Sequence, residues 1–395
     1  MMPYPYHVMA KPTGAICNLD CAYCFFLSKE ELYPESNFHM SDDVLKSYLK
    51  QYIQSQPRVA EIMVTWQGGE PTLMGLDFFE KATRFANQFK APGQRVSFAI
   101  QTNGILLDDA WGQFLHDNRY LVGISIDGTE DLHNIYRRDK GGKPTFKSVL
   151  TGLNILKKHK VDFNILCTVN AANANHPLEV YRFFRDELKA EYIQFISIVE
   201  RKNKTGFQEG EQVTERSVRP EEWGIFLKKV FDEWITQDVG RVFIPTFESA
   251  LANFYGVPAG ICIFNSTCGL ALALEHNGDL YACDHYVEPK YLLGNIQEIP
   301  MEKLVRSEKQ DSFGQAKKDA LPQYCLDCDV LFACHGECPK NRFHKTPDGE
   351  TGLNYLCEGY KIFFRHIDKP MKFMANELRH QRSPARVMKY FGQKS

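Results

Sequence analysis

The sequence predicts an α/β fold in which a parallel sheet with its helices is followed by a small, irregular C-terminal domain. Two observations support this prediction. Up to about residue 199, short apolar or β-branched runs alternate with longer amphipathic ones, as in parallel sheets. Beyond Gly256, glycine, proline and cysteine replace the periodic patterns, which is typical of small domains that metal holds together. Six strands could form an open doubly wound sheet or a partial barrel, and periodicity alone does not separate the two.

The individual elements follow from the spacing of the apolar residues. Strands are predicted over His7–Lys11, Glu61–Trp66, Val96–Gln101, Leu121–Ile126, Phe163–Val169 and Tyr192–Ile198. Helices are predicted over Asp42–Ile53, Asp77–Phe89, Asp109–His116, Phe146–His159 and Leu178–Glu187. Ser41 and Asp108 precede two of these helices and are suitable N-cap residues. The polar segment 201–220 is interpreted as a mobile insertion or linker, and a further helix is predicted from about Glu221 to Trp234.

Chemically distinctive residues follow four of the predicted strands. A loop with three cysteines, residues 17–24, follows the first strand, and Gly68-Gly69-Glu70-Pro71 follows the second. Thr102-Asn103-Gly104 follows the third strand and Asp127-Gly128 the fourth. In open sheets and barrels alike, ligands bind at the carboxyl ends of the strands. We therefore expect the active site at this rim.

Composition excludes several classes of protein. The chain has 395 residues, 44% of them hydrophobic and 24% charged, which excludes a disordered chain. The balance of 47 basic against 49 acidic side chains predicts no binding to nucleic acid or to anionic membranes. No apolar run is long enough to span a bilayer, and the N-terminus lacks the pattern of a secretory signal. We expect a cytoplasmic protein, in which clustered cysteines are metal ligands or catalysts rather than disulfides.

Eleven of the twelve cysteines fall into three groups, and Cys167 stands alone in an apolar run, where we expect a buried bystander. The groups are Cys17, Cys21 and Cys24; Cys262, Cys268 and Cys283; and Cys325, Cys328, Cys334, Cys338 and Cys357. Four cysteines normally hold a [4Fe–4S] cluster, so the three of the first group would leave one iron open. The alternative is a zinc site completed by a distant ligand such as His7.

The first cysteine group, with an aromatic residue before its last cysteine, and the Gly68-Gly69-Glu70-Pro71 segment together resemble a radical S-adenosylmethionine (SAM) enzyme. The resemblance implies that SAM chelates the open iron and that the backbone after the second strand binds its methionyl amine. It also implies homolysis to a 5′-deoxyadenosyl radical, which is the cofactor's own chemistry. The residues that the resemblance implies as cofactor contacts are Phe26, Gly68, Gly69, Glu70, Ser125, Arg137 and Val199.

The C-terminal cysteines resemble the auxiliary-cluster domain called SPASM. By this resemblance one cluster is held by Cys262, Cys268, Cys283 and Cys338, and another by Cys325, Cys328, Cys334 and Cys357. Zinc-ribbon sites are the alternative, since Cys325-x2-Cys328 is also a zinc signature. The fold class we predict is thus a partial (β/α)6 TIM-like barrel followed by a small irregular C-terminal domain with two iron–sulfur clusters. The expected division is a radical SAM barrel over 1–200, a linker and helical bridge over 201–255, the SPASM domain over 256–365 and a basic tail over 366–395.

The chain as a whole is similar to the anaerobic sulfatase-maturating enzymes. The resemblance is carried by Trp66–Leu73, Gln101–Gly104, Ser125–Gly128, Phe163–Cys167 and Tyr281–Val287. It implies oxidation of a cysteine or serine in an unfolded or nascent sulfatase to Cα-formylglycine, with SAM, three [4Fe–4S] clusters and an electron donor such as flavodoxin or ferredoxin. Asp284 is implied as the base, next to the cluster ligand Cys283, and the auxiliary clusters are implied as electron acceptors.

The sequence departs from that family at Phe26, where a tyrosine is frequent. A phenyl ring packs against SAM or substrate but offers no hydroxyl to a proton path. Two other functions fit parts of the pattern. One is a maturase that forms thioether or carbon–carbon crosslinks in a peptide with the same cofactors. The other is a non-catalytic metal-binding interaction protein.

Overall fold

A nine-stranded sheet runs through the part of the chain that the structure, a computed structural model, describes, which is residues 5–56 and 59–391. Its strands are β1 (His7–Lys11), β2 (Glu61–Trp66), β3 (Arg95–Thr102), β4 (Tyr120–Ser125), β5 (Phe163–Val169), β6 (Ile193–Ser197), β7 (Ala271–Glu275), β8 (Asp279–Tyr281) and β9 (Leu292–Asn295). They stand in the order β6-β5-β4-β3-β2-β1-β7-β8-β9. All pairs from β6 to β7 are parallel. The predicted partial (β/α)6 barrel with a C-terminal domain is confirmed.

The last three strands extend the barrel sheet beyond β1. Met9 of β1 lies opposite Ala273 of β7 in a parallel pair, and β8 and β9 continue as an antiparallel meander. The sequence analysis does not place these strands, because three to five residues are too few to show a period. A separate hairpin is formed by β10 (His344–Lys345) and β11 (Thr351–Leu353). The C-terminal cysteines are thereby built onto the edge of the barrel.

Helices follow most strands and cover the sheet. In the first half they are α1 (Asp42–Ser55), α2 (Leu76–Phe89), α3 (Asp109–Asp117), α4 (Glu130–Tyr136), α5 (Phe146–Lys158) and α6 (Pro177–Arg182). In the second half they are α7 (Pro220–Gln237), α8 (Pro245–Tyr255), α9 (Met301–Val305), α10 (Glu308–Asp319), α11 (Gln323–Leu326), α12 (Leu331–Cys334), α13 (Cys357–Arg379) and α14 (Val387–Phe391). The side chains of Ser41 and Asp108 accept from Val44 N and Trp111 N, as capping predicts.

Two helices join the middle of the chain to its C-terminal part. α7 packs along α13, and the crossing is close because Gly224 and Gly359 meet there: a Cβ on Gly224 would lie 2.5 Å from Gly359 O. Phe231 and Phe363 continue this contact as an edge-to-face pair, with ring centroids 6.3 Å apart. Aromatic pairs of this kind add to the burial energy. The helical bridge and the start of α13 therefore share one core.

Two further stretches connect or end the fold. The segment 201–219, predicted as a linker, is largely without regular structure apart from a bridge between Arg201 and Val213. The predicted basic tail begins inside α13, and its last four residues, 392–395, lie outside the described residues. Within the residues described, no helix is long and apolar enough to cross a bilayer.

Candidate active site

The loop after β1, residues 12–26 and here called the cysteine loop, touches the loop after β2. Gly69 N donates to Gly14 O at 2.7 Å. A Cβ on Gly69 would lie 1.9 Å from Ile16 O, so only glycine fits at this position. Gly68 has a φ of +134°, which L side chains rarely adopt. The two glycines therefore let the backbones of the two loops meet.

Glu70 connects the segments that follow β2 and β3 at this rim. Its buried carboxylate accepts hydrogen bonds from the hydroxyl of Thr72 at 2.6 Å, the hydroxyl of Thr102 at 2.7 Å and the backbone N–H of Asn103 at 2.8 Å. Burial raises the pKa of Glu70, and these donors oppose the rise. Because the carboxylate is engaged by the ends of β2 and β3, we expect Glu70 to act on a cofactor through the loop that it holds.

The three thiols of the cysteine loop lie close enough to interact electrostatically. Burial foremost, with a smaller contribution from the charge of Cys24, raises the pKa of Cys17 to about 12 and that of Cys21 to about 11. Asn103 Nδ2 approaches Cys17 Sγ at 3.8 Å from the end of β3. Iron binds the thiolate rather than the thiol, so a cluster here would keep these cysteines deprotonated. Three converging thiols in a buried loop fit a cluster with one open iron.

Arg137 lies beneath the cysteine loop and is almost fully buried. Its Nη1 donates to Tyr23 Oη at 2.9 Å, and Tyr23 in turn donates to Asp127 at the end of β4. Arg137 Nε is buried and has no hydrogen-bond partner within the described residues. A buried donor without a partner is costly, so this N–H is suited to a bound anionic group such as a carboxylate.

Other predicted cofactor contacts lie at the same rim. Ser125 is the last residue of β4, and its hydroxyl accepts from Gln101 Nε2 at 3.0 Å. Val199 is buried just after β6. Phe26 is buried at the end of the cysteine loop. The structure thus places these three side chains on elements whose carboxyl ends form the rim.

Lys11 joins the cysteine loop to the C-terminal part of the chain, and the sequence analysis does not single it out. It ends β1, is 1% exposed, and its Nζ lies 3.7 Å from the centroid of the Phe26 ring and 2.5 Å from Asp284 Oδ1. Burial alone would raise the pKa of the Asp284 carboxyl, but neighbouring positive charges, Lys11 foremost, hold it below its usual range. The signal in the sequence that could have identified Lys11 is its place at the end of an apolar strand, at the rim where ligands bind.

The C-terminal cysteines form two sites. We call auxiliary site 1 the group Cys262, Cys268, Cys283 and Cys338, whose thiols influence one another's charges. Auxiliary site 2 is the group Cys325, Cys328, Cys334 and Cys357, which together line one cavity. The structure thus brings together the same two sets of four that the resemblance implies. Cys167 lies apart, fully buried in β5.

Single zinc ions are the alternative to clusters at these sites. Within the described residues, no three histidine, cysteine or acidic side chains are arranged to share one ion. A zinc ion requires its thiolates at about 2.3 Å from a single centre, whereas each cysteine of a [4Fe–4S] cluster binds its own iron and stands farther from the others. His7, one distant residue that could complete a zinc site, begins β1, at the strand end opposite the cysteine loop.

Comparisons with known proteins agree with this description. The family model of the Radical SAM superfamily matches residues 12–184, and that of SPASM, an iron–sulfur cluster-binding domain, matches residues 267–329. The fold and the cysteine sites therefore define a radical SAM enzyme that uses SAM and iron–sulfur clusters.

The relatives narrow the class further. The chain is 46% identical to the serine-type anaerobic sulfatase-maturating enzyme of Bacteroides thetaiotaomicron, over 98% of this chain and 95% of that protein. It is 33% identical to the cysteine-type enzyme of Clostridium perfringens, over 95% and 100%. A solved structure described as native anSMEcpe with bound AdoMet and Cp18Cys peptide has a TM-score of 0.84 at 34% identity, covering 95% of this chain and 99% of that one. The chain belongs to the anaerobic sulfatase-maturating enzymes.

Proposed function

We propose that this enzyme oxidises a cysteine or serine of a sulfatase polypeptide to Cα-formylglycine without molecular oxygen. The observation that carries the proposal is the position of Asp284. Its buried carboxylate pairs with Lys11 at the end of β1, beside Phe26 of the cysteine loop, and it directly follows Cys283 of auxiliary site 1. A proton acceptor thus lies between the cysteines that would hold the SAM cluster and those that would accept an electron.

Named residues would hold the cofactors. Three clusters would be held by the cysteine loop and by auxiliary sites 1 and 2. The SAM molecule would lie against the rim formed by Gly68, Gly69, Ser125 and Val199, with the free N–H of Arg137 toward its carboxylate. When bound, SAM and the clusters supply the one-electron chemistry that removes a hydrogen atom from the target carbon and accepts the second electron. The buried aromatic residues Tyr23 and Phe26 keep water from this space.

Asp284 is proposed as the general base. The target residue must lose a proton from its thiol or hydroxyl, and the lowered pKa of Asp284 keeps its carboxylate deprotonated, the form that accepts a proton, at neutral pH. Lys11 stabilises the charged form and fixes its position by direct contact. Phe26 cannot take part in the proton transfer, because a phenyl ring has no exchangeable proton.

The sulfatase relatives support the choice of substrate. The names of the similar proteins describe both serine-type and cysteine-type sulfatase maturation, and a solved relative holds a peptide. We propose an unfolded or nascent sulfatase segment as substrate, since a target side chain must reach the rim between the cysteine loop and Asp284. The reducing electron would come from a carrier such as flavodoxin or ferredoxin.

A peptide assay tests the proposal. The reconstituted enzyme is incubated anaerobically with reductant, SAM and a peptide containing Cys-x-Pro-x-Arg, or its serine counterpart. We expect a loss of about 18 Da on cysteine, because two hydrogen atoms are removed and water replaces sulfur, which leaves as sulfide, or the loss of two hydrogen atoms alone on serine. SAM cleavage without either change would refute formylglycine formation. A two-hydrogen loss with a new crosslink in the peptide would indicate a crosslinking maturase instead.

A further inference from the structure

Helix α10, Glu308–Asp319, lies against the loops that carry auxiliary site 1. Its buried residues are Gln310, Gly314 and Lys317. They are spaced by four and three positions, so they share one face of the helix. Two of the three are polar, which is unusual for a buried helix face and calls for partners.

The first two of these residues hold the backbone of the cysteine loops of site 1. Gln310 Nε2 donates to Gly269 O at 2.8 Å and to Ala282 O at 3.1 Å, next to Cys268 and Cys283 respectively. Gly314 O accepts from Cys268 N at 3.0 Å, and a Cβ on Gly314 would lie 2.6 Å from Cys268 O. The helix is therefore in direct backbone contact with one loop and hydrogen-bonded to a second.

Lys317 completes this face with a charge. It is 1% exposed, and its Nζ donates to Cys262 O at 2.7 Å and to Ile263 O at 2.9 Å. Within the described residues it forms no ion pair with a carboxylate. Three of the four site 1 thiols, Cys268, Cys262 and Cys338, lie within the electrostatic reach of Lys317, as does the buried carboxylate of Glu337. The negative charge of a thiolate-bound cluster would attract the ammonium.

We infer that Lys317 tunes auxiliary site 1, its buried ammonium raising the reduction potential of the cluster held there. The inference rests on the proposed function in so far as it takes site 1 to hold a cluster that gains the electron lost by the substrate carbon. Net charge and hydrogen bonds around a cluster set its potential, and a nearby positive charge favours the reduced, more negative state. Lys317 is thus a positioning residue that also makes site 1 a better electron acceptor.

Auxiliary site 2 has a lysine with different surroundings. Lys361 influences Cys357, but its Nζ lies 3.2 Å from Glu358 Oε1, so much of its charge is compensated. A compensated charge has little effect on a nearby cluster. The tuning is therefore assigned to site 1 alone.

The experiment is an anaerobic redox titration of the reconstituted holoenzyme, followed by electron paramagnetic resonance, with the iron content of every variant measured. Lys317→Gln removes the charge and keeps an N–H donor, whereas Lys317→Arg keeps the charge. Lys318→Gln is the matched control, because Lys318 is the next residue of the same helix and is exposed. In Lys317→Gln we expect one titration step to move to a more negative potential by about tenfold in its equilibrium constant, which is 59 mV for one electron.

The other steps should stay in place, and Lys317→Arg and Lys318→Gln should titrate like the unchanged enzyme. Full iron content with an unmoved step in Lys317→Gln would overturn the inference, as would an equal shift in Lys317→Arg. Loss of iron in Lys317→Gln but not in Lys317→Arg would support a charge effect on the cluster, and loss in both would overturn it. Peptide oxidation plays no part in this titration, so a failure of the proposed function and a failure of this inference give different results.

Discussion

The two auxiliary sites have the same four-cysteine composition but opposite surroundings. Site 1 has the ammonium of Lys317 beside it and the Lys11–Asp284 pair next in the chain. Site 2 lines a cavity with the apolar Val330, Leu331 and Tyr360, and the lysine beside it, Lys361, is paired with Glu358. The uncompensated ammonium among the described residues thus lies at site 1.

This difference indicates a division of labour. Charged and polar groups near a cluster change its reduction potential. Apolar groups around a site mainly contribute packing energy when the site is filled. Site 2 also includes Cys357, the first residue of α13, which packs against α7 and α8. We therefore propose that site 1 would accept the electron from the substrate and that site 2 contributes more to the stability of the C-terminal part.

The largest effect is expected on product formation, which should be lost when site 1 is disrupted and kept when site 2 is disrupted. Cys283→Ala should abolish formylglycine, at least a thousandfold, with SAM cleavage retained and about four irons lost per chain. Cys325→Ala should lose as many irons and still form product in the first turnover. Cys167→Ala is the control, because that buried thiol lies in β5, apart from all three cysteine groups. Equal loss of first-turnover product in Cys283→Ala and Cys325→Ala would remove the distinction.

The next largest effect is expected on thermal stability, which should depend more on site 2 than on site 1. Cys357→Ala should lower the unfolding temperature more than Cys262→Ala does, by about 5 °C or more, because it removes a cluster that joins α13 to site 2. Cys262 sits in a short turn after α8, outside any long helix. Anaerobic thermal unfolding followed by circular dichroism measures the difference. The opposite order would place the structural role at site 1.

A smaller effect concerns the charged surroundings of site 1. Lys11→Met should lower the kcat of peptide oxidation about tenfold to a hundredfold, because the Asp284 carboxylate loses its partner. The KM for SAM should change less than kcat does, since the ammonium of Lys11 contacts Asp284 and only the stem of its side chain lies beside Gly68. Steady-state kinetics with varied peptide and SAM concentrations measures kcat and the KM for SAM separately. An increase confined to the SAM KM would instead assign Lys11 to the cofactor pocket.

The smallest effect is expected at the outer edge of site 2. Arg365 and Asp329 form an exposed ion pair next to Cys328, and such pairs contribute little. Arg365→Met should change the free energy of unfolding by less than about 1 kcal/mol and leave iron content unchanged. Chemical denaturation under anaerobic conditions checks this. A larger loss would show that charge matters at site 2 as well.

Much of the barrel could be predicted from the sequence. The bounds of β1, β2 and β5 are those that periodicity gives, and the other three barrel strands differ by one residue at each end. Long runs of apolar residues between polar turns make such strands visible. Helices α4 and α8 were not predicted, and the pairing of β7 with β1 joins residues far apart in sequence. Local patterns carry no information about such a pairing.

Site residues could be predicted from the sequence where the spacing of cysteines or the family resemblance marked them. The cysteines and the glycine loop lie at the rim that the strand ends indicate. The roles of Lys11 and Lys317 were not predictable, since each depends on contacts with residues more than fifty positions away. A single lysine in a sequence usually indicates a solvated surface. Only the fold shows that these two are 1% exposed.

The central claim is that Asp284 accepts the substrate proton between the SAM cluster and site 1. The direct measurement compares Asp284→Asn with the unchanged enzyme for formylglycine formed and SAM cleaved, at matched iron content. We expect formylglycine to fall by about a hundredfold or more while SAM cleavage stays within about threefold. Undiminished formylglycine in Asp284→Asn at unchanged SAM cleavage would contradict the assignment.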